Sequence, residues 1–175
     1  MAQTFYASSK INRHGDYRSD PQILNKIMID LNTKFVPLYK GKNLFKQINN
    51  NFEALILNNQ ELKIILPNNI INPIFLGVAN NISYVGFNID QSDLDIDLWC
   101  EENSIIIDDL RKYGATLNEI DASFLALTSG MFFWQNTHKF CGSCGHSNIS
   151  TEGGFVLVCS NTSCGKSHFP RTDPA

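Results

Sequence analysis

Three features of the sequence predict an α+β fold, a mixed or antiparallel sheet with packed helices, followed by a small cysteine-rich module. Short β-rich segments separated by Gly, Asn or Pro fill the stretch from Lys34 to Asp90. A long apolar stripe at helical spacing follows Thr116. Four of the five cysteines then fall within the 24 residues from Cys141 to Cys164.

The elements follow in order. SDPQILNKIMIDL opens the first helix: Ser19 or Asp20 can cap it and Pro21 suits its first turn. Ile23, Leu24, Ile27, Met28 and Leu31 then fall on one face. KFVPLY, EALIL, LKIIL, PIFLGV and ISYVGFNI read as strands, because β-branched and aromatic residues fit a pleated, half-buried surface. LNNQEL and ANNI read as hairpin turns. SIIIDDLRKYG predicts a short helix ending at Gly114. Thr116 and Glu119 have the spacing of a capping box. Ile120, Phe124, Leu127, Met131 and Trp134 then repeat at 4-3-4-3 spacing. The stripe is read as a helix packed on its own sheet rather than as a cofactor-binding face. Trp134, which ends it, is expected to be buried beside the cysteine module. Residues 1–134 are thus expected to form an α+β domain and residues 135–170 a separate module.

Composition narrows the function. A chain of 175 residues, 43% apolar and 18% charged, is globular in character. A net charge of −3 supplies no bulk field for nucleic acid or an anionic membrane. No apolar run approaches the ~18 residues of a membrane span, so no membrane partner is expected. The opening MAQTFYASSKINRHG lacks the apolar core of a secretory signal, so the chain is expected to be cytoplasmic. In a reducing compartment, clustered cysteines serve as metal ligands more readily than as disulfides.

The cysteines run C-x2-C, fourteen residues, C-x4-C. Zinc prefers four soft ligands in a tetrahedron, and two such turns joined by a hairpin supply them. Gly145 follows Cys144 and Gly165 follows Cys164. A residue with positive φ at these places aims backbone N–H groups at the sulfurs, and Gly adopts it without strain. STEGGFVLVCS reads as a strand after a Gly-Gly bend, with Phe155 and Leu157 on one side. The expectation is a zinc ribbon with Cys141, Cys144, Cys159 and Cys164 as ligands. With four thiolates no position is left for water, so the Zn2+ is structural.

Other residues carry weaker signals. His138, His146 and His168 lie near the cluster, and one could replace a cysteine as ligand, but the full set of four cysteines is the preferred ligand set. Cys100 reads as a buried apolar residue, and Glu101-Glu102 as a solvated turn. Arg13, Arg18 and Arg111 are open between substrate contacts and ordinary surface pairs.

The module and its flanks, MFFWQNTHKFCGSCG and EGGFVLVCSNTSCGKSHFPRTDPA, resemble the NADH pyrophosphatase branch of the Nudix hydrolases. That family has a tryptophan-ended helix running into H-x-F-C-x-x-C-G, a linking strand, a second cysteine pair and a proline-arginine-x-aspartate-proline exit. INRHGDYRSDPQIL is similar to its arginine-bearing opening. PLYKGKNLF and PIFLGVANNISYVGFNI are similar to its early strands, and DDLRKYGATLNEIDASFLALTSGMFFW to its helical stretch before the ribbon. One departure is visible: the family usually has Trp-His at the helix end, and here Gln135 follows Trp134.

The resemblance implies that a catalytic Nudix domain follows the exit, with residues 171–175 as its start. That domain carries the box G-x5-E-x7-R-E-U-x-E-E-x-G, whose glutamates hold Mg2+ or Mn2+ against a bridging diphosphate. The box does not occur in these 175 residues: the four arginines precede His, Ser, Lys and Thr. The chain is therefore expected to be the amino-terminal half of an enzyme, with no catalytic residue of its own. The implied reaction splits NADH, and less readily NAD+, into nicotinamide mononucleotide and AMP; the family also removes NAD caps from RNA. The resemblance allows a homodimer surface as well. The alternative is a stand-alone zinc-ribbon adaptor binding nucleic acid or protein. Residues 135–175 hold three basic residues (Lys139, Lys166, Arg171) against two acidic ones (Glu152, Asp173), a poor footprint for nucleic acid.

Overall fold

The computed structural model describes residues 8–49, 51–68 and 70–170. Its first helix, α1 (Pro21–Ile29), starts as the sequence predicts. The Asp20 carboxylate accepts hydrogen bonds from the N–H groups of Gln22 and Ile23, at 2.8 and 3.3 Å. Ile27 is buried and Ile23, Leu24 and Met28 pack beside it. Leu31 departs from the expected face. The helix ends two residues earlier, and Leu31 is 80% exposed.

Six strands form the main sheet among the described residues: β1 (Lys34–Tyr39), β2 (Lys42–Ile48), β3 (Asn51–Ala54), β4 (Ile74–Ala79), β5 (Ile82–Asn88) and β6 (Ile105–Asp108). Their order is β3-β2-β1-β5-β4, with β6 pairing β2. The sheet is mixed: β1 runs parallel to β5, and the other pairs are antiparallel. Asn80 and Asn81, at φ 51° and 60°, make the predicted tight turn between β4 and β5. Lys40-Gly41, at φ 48° and 75°, makes the matching turn from β1 to β2. Strand β2 is not among the five segments read as strands. Its turn lacks an Asn-Gly signal, and in KNLFKQI only Leu44, Phe45 and Ile48 are apolar, without strict alternation.

Several readings are corrected. LKIIL is helical, within α2 (Asn59–Ile65), and LNNQEL is its start rather than a hairpin turn. Asn58 accepts from the N–H groups of Gln60 and Glu61, and Glu61 accepts from the Asn58 N–H at 2.8 Å. This reciprocal capping box fixes a helix, and Leu62, Ile65 and Leu66 then face the core at helical spacing. SIIIDDLRKYG is not one helix. Its β-branched run forms β6, which pairs with β2. Asp109 then caps a short helix, α4 (Leu110–Tyr113). Gly114 continues into a 3-10 turn at φ −55° instead of ending a helix in the left-handed region.

Helix α5 (Glu119–Thr137) is capped by Asn118, whose side chain accepts from the Asp121 N–H at 2.9 Å. Thr116 is not the cap; its hydroxyl donates to the Tyr113 carbonyl. The stripe behaves as predicted. Phe124, Met131 and Trp134 are buried, and Ile120 and Leu127 pack against the same cluster. Strands alternate their side chains between faces, which divides the core in two. Val36, Leu38, Phe45, Ile74 and Leu76 face α5. Phe35, Leu44, Phe75, Val85 and Phe87 face α1, α2 and the helix α3 (Ile96–Glu102). Both faces of the sheet are covered, so β1 at its centre is buried from Phe35 to Tyr39.

Beyond α5, three short strands form a second sheet: β7 (Asn148–Thr151), β8 (Val156–Cys159) and β9 (Ser167–His168). Leu157 of β8 belongs to the same apolar cluster as Trp134 and Phe132 of α5. The bend before β8 is tighter still. A Cβ on Gly154 would stand 2.8 Å from the Ile74 side chain, and its φ is +92°. Only glycine admits that approach to β4. No helix among the described residues is long and apolar enough to cross a membrane.

The α5 core face should dominate stability. Phe124 is fully buried and stacks on Tyr84 with ring centroids 4.1 Å apart. Phe124→Ala should cost about 3–5 kcal/mol in a denaturant titration. Phe133→Ala, on the same helix but 71% exposed, should stay within about 0.5 kcal/mol.

Candidate metal centre

The four cysteines of the ribbon motif converge. Their sulfurs all lie within 4.8 Å of one another, with Cys144 to Cys159 at 3.3 Å and Cys141 to Cys164 at 3.8 Å. A tetrahedron of sulfurs about 2.3 Å from a zinc ion has edges of about 3.8 Å. The four residues therefore have the donor type and spacing to hold such a metal.

Each pair sits in a knuckle closed by the backbone. The Cys141 N–H donates to the His146 carbonyl at 2.7 Å, and the Gly145 N–H returns to the Cys141 carbonyl at 2.8 Å. In the second knuckle Cys159 N–H donates to Lys166, and the N–H groups of Cys164 and Gly165 donate to Asn161, all at 2.9 Å. Gly145 and Gly165 have φ of 75° and 55°, as the sequence predicts. Peptide N–H groups turn inward as a result. Ser143 and Cys144 donate to the Cys141 sulfur, His146 to Cys144, and Asn161 to Cys159.

These contacts set the thiols apart electrostatically. The N–H groups hold the Cys141 thiol down at about 5, with His168 contributing. Cys144 is also lowered, chiefly by the His146 N–H. Burial pushes Cys159 up to about 12, and the crowding thiols beside it add to the effect. Four neighbouring thiols cannot all ionise against one another's charge. A dication among them removes that obstacle, which is the physical case for a metal here.

The histidines are not among the converging ligands. The His138 ring nitrogen Nδ1 lies 2.9 Å from the Trp134 carbonyl. His146 is exposed and its Nδ1 lies 3.3 Å from the Cys144 carbonyl. Cys100 is buried in the other core layer, where burial raises its thiol to about 11. Glu101 and Glu102 are exposed at the end of α3. Arg111 is an exposed partner of Asp109, with Nε at 3.0 Å and Nη2 at 2.9 Å. Arg13 and Arg18 are half-buried against β4 and the ribbon turn. Residues 171–175, with Arg171 and Asp173 of the exit motif, lie outside the described residues.

Two residues that hold the ribbon escaped sequence reasoning. Gln135 donates from Nε2 to the Gly154 carbonyl at 2.8 Å and to the Ser150 hydroxyl at 3.3 Å. Arg18 lays its guanidinium 3.4 Å from the centre of the Phe155 ring. The polar residue after Trp134 and the Gly-Gly bend were the signals present. Neither reveals its partner, because both contacts join segments far apart in sequence.

No protein-family model matches the chain. It is 25% identical, over 97% of its length, to an NAD-capped RNA hydrolase of Schizosaccharomyces pombe, and the match covers 56% of that protein. It is 44% identical over 41 residues, 23% of its length, to Nudix hydrolase 19, chloroplastic, of Arabidopsis thaliana, of which 9% is covered. The chain thus spans about half the length of the first relative and a small part of the second. These likenesses support a relation to the Nudix hydrolases.

Purified protein should contain one zinc ion per chain by metal analysis. Chelation should unfold the ribbon, seen as lost amide signals over residues 141–168, while β1–β5 keep theirs. Cys144→Ser removes one of four ligands and should weaken zinc retention on the order of 100-fold, about a quarter of the binding free energy of such sites. A metal-free sample with an ordered ribbon would refute the assignment.

Proposed function

We propose that these residues act as the amino-terminal α+β and zinc-ribbon part of an NAD(H) diphosphatase. The whole enzyme would split NADH or NAD+ into nicotinamide mononucleotide and AMP, or remove an NAD cap from RNA. One observation carries the reading: a four-thiol centre follows on a helix whose last turn carries Trp134, in a chain similar along 97% of its length to an NAD-capped RNA hydrolase. The division into residues 1–134 and 135–170, a cytoplasmic setting and a homodimer belong to the same reading. Reduced, converging thiols suit that compartment.

On this reading the chemistry divides by metal. Cys141, Cys144, Cys159 and Cys164 would hold a zinc ion whose coordination they complete, so the ion serves folding and has no open position for a reacting water. The hydrolytic step needs Mg2+ or Mn2+ on a glutamate-rich helix, and the 175 residues contain no such box. The part described supplies no catalytic group. Its task is to present a rigid α5–ribbon unit against the domain that does.

The test is AMP release from NADH with Mg2+ or Mn2+, by the protein as its gene encodes it and by the 175 residues alone. Release by the first and none by the second is expected. Turnover by the 175 residues would overturn the assignment of the chemistry. Inactivity of the whole protein would favour the zinc-ribbon adaptor.

A further inference from the structure

Arg13 and Arg18 flank the 3-10 turn Gly15–Tyr17, and both lie half-buried against β4 and the ribbon turn. Among the described residues, each guanidinium makes one hydrogen bond. Arg13 Nη1 donates to the Leu76 carbonyl at 3.1 Å, and Arg18 Nη2 donates to the Arg13 carbonyl at 3.2 Å. Arg18 Nε is buried without an acceptor. Most of the N–H donors of the two groups are thus unspent.

The charges are also unmatched. No described carboxylate forms an ion pair with either arginine. The acids nearest in sequence are committed elsewhere: Asp16 faces His14 at 3.7 Å, and Asp20 caps α1. Burial lowers the pKa of both guanidiniums, and for Arg18 the charge of Arg13 lowers it further. Two like charges held together in a partly dry seam are costly without a counter-ion. Arg111, by contrast, is fully exposed and bidentate on Asp109.

A structural staple explains only part of this arrangement. Stacking on Phe155 uses one face of Arg18, and each carbonyl contact uses one N–H. Neither task needs two adjacent cations. A planar guanidinium matches the oxygens of a phosphate in geometry and charge. We propose that Arg13 and Arg18 together form a binding site for a phosphate group, at the seam between the opening segment and the Glu152–Phe155 turn of the ribbon. The ligand class is a small phosphate-bearing molecule, either free phosphate or the diphosphate of a dinucleotide. The site is argued independently of the diphosphatase reading, from two charges that have no ion pair among the described residues, and its test needs no turnover.

The test uses the zinc-loaded chain and follows the arginine Nε–H signals by NMR. Sodium phosphate replaces sodium chloride at constant ionic strength and millimolar concentration, which keeps general salting effects small. The Arg13 and Arg18 signals should shift together and saturate with one dissociation constant, while Arg111 stays in place. Arg13→Gln should weaken the response of Arg18 at least about 10-fold, the worth of a charge-assisted hydrogen bond. A parallel titration with NAD+ separates the sources: tighter binding than phosphate identifies the dinucleotide, and weaker binding identifies the free ion. No shift beyond that in chloride, or an equal shift at Arg111, overturns the proposal. The wild-type titration decides the matter even if the variant does not fold.

Discussion

Four sulfurs within 4.8 Å of one another are the constraint on which the end of this chain depends. Thiolates at that spacing repel, and the buried pair, Cys141 and Cys159, has lost much of the water that would stabilise ionisation. The knuckles answer part of the difficulty by aiming peptide N–H groups at the sulfurs, most effectively at Cys141. Cys159 shows the part left unanswered, since burial and its neighbours hold its proton on. A divalent ion on the four sulfurs would resolve both at once. The three ribbon strands span two to four residues each. A module of that size buries too little apolar surface to fold on its own core.

The ribbon does not stand alone, however. Helix α5 joins it to the main sheet twice over. Its buried face runs from Phe124 to Trp134 across β1, β2, β4 and β5, and ends beside Leu157 of the ribbon. Its next residue, Gln135, reaches over to the Gly154 carbonyl. Gly154 itself rests on Ile74 of β4, and Arg18 covers Phe155. A metal held as proposed would order the knuckles, and the turn between them fits against the sheet.

Much of this was legible before any coordinates. The cysteine spacing, the two knuckle glycines, the α5 stripe and the Asn80-Asn81 turn are local patterns, and each appears where the sequence puts it. The failures have physical reasons. In LKIIL the apolar run fits a strand or a helix equally, and the Asn58–Glu61 capping box one turn earlier decided for helix. In SIIIDDL the helical reading missed that β2 offered an unpaired edge to the isoleucines. Thr116 had the right spacing for a cap, but the preceding 3-10 turn moved the helix start to Asn118. Gln135, Gly154 and Arg18 act across the seam, so no local pattern could announce them.

The central claim is that one zinc ion on four thiolates organises the ribbon, and X-ray absorption at the zinc edge of the purified protein tests it most directly. The account predicts a single shell of four sulfurs at about 2.3 Å. A nitrogen in the shell would bring in a histidine such as His168 and contradict the four-thiolate set, and a water oxygen would contradict the structural role. Cysteines found joined in disulfides, with no zinc bound, would contradict the account altogether.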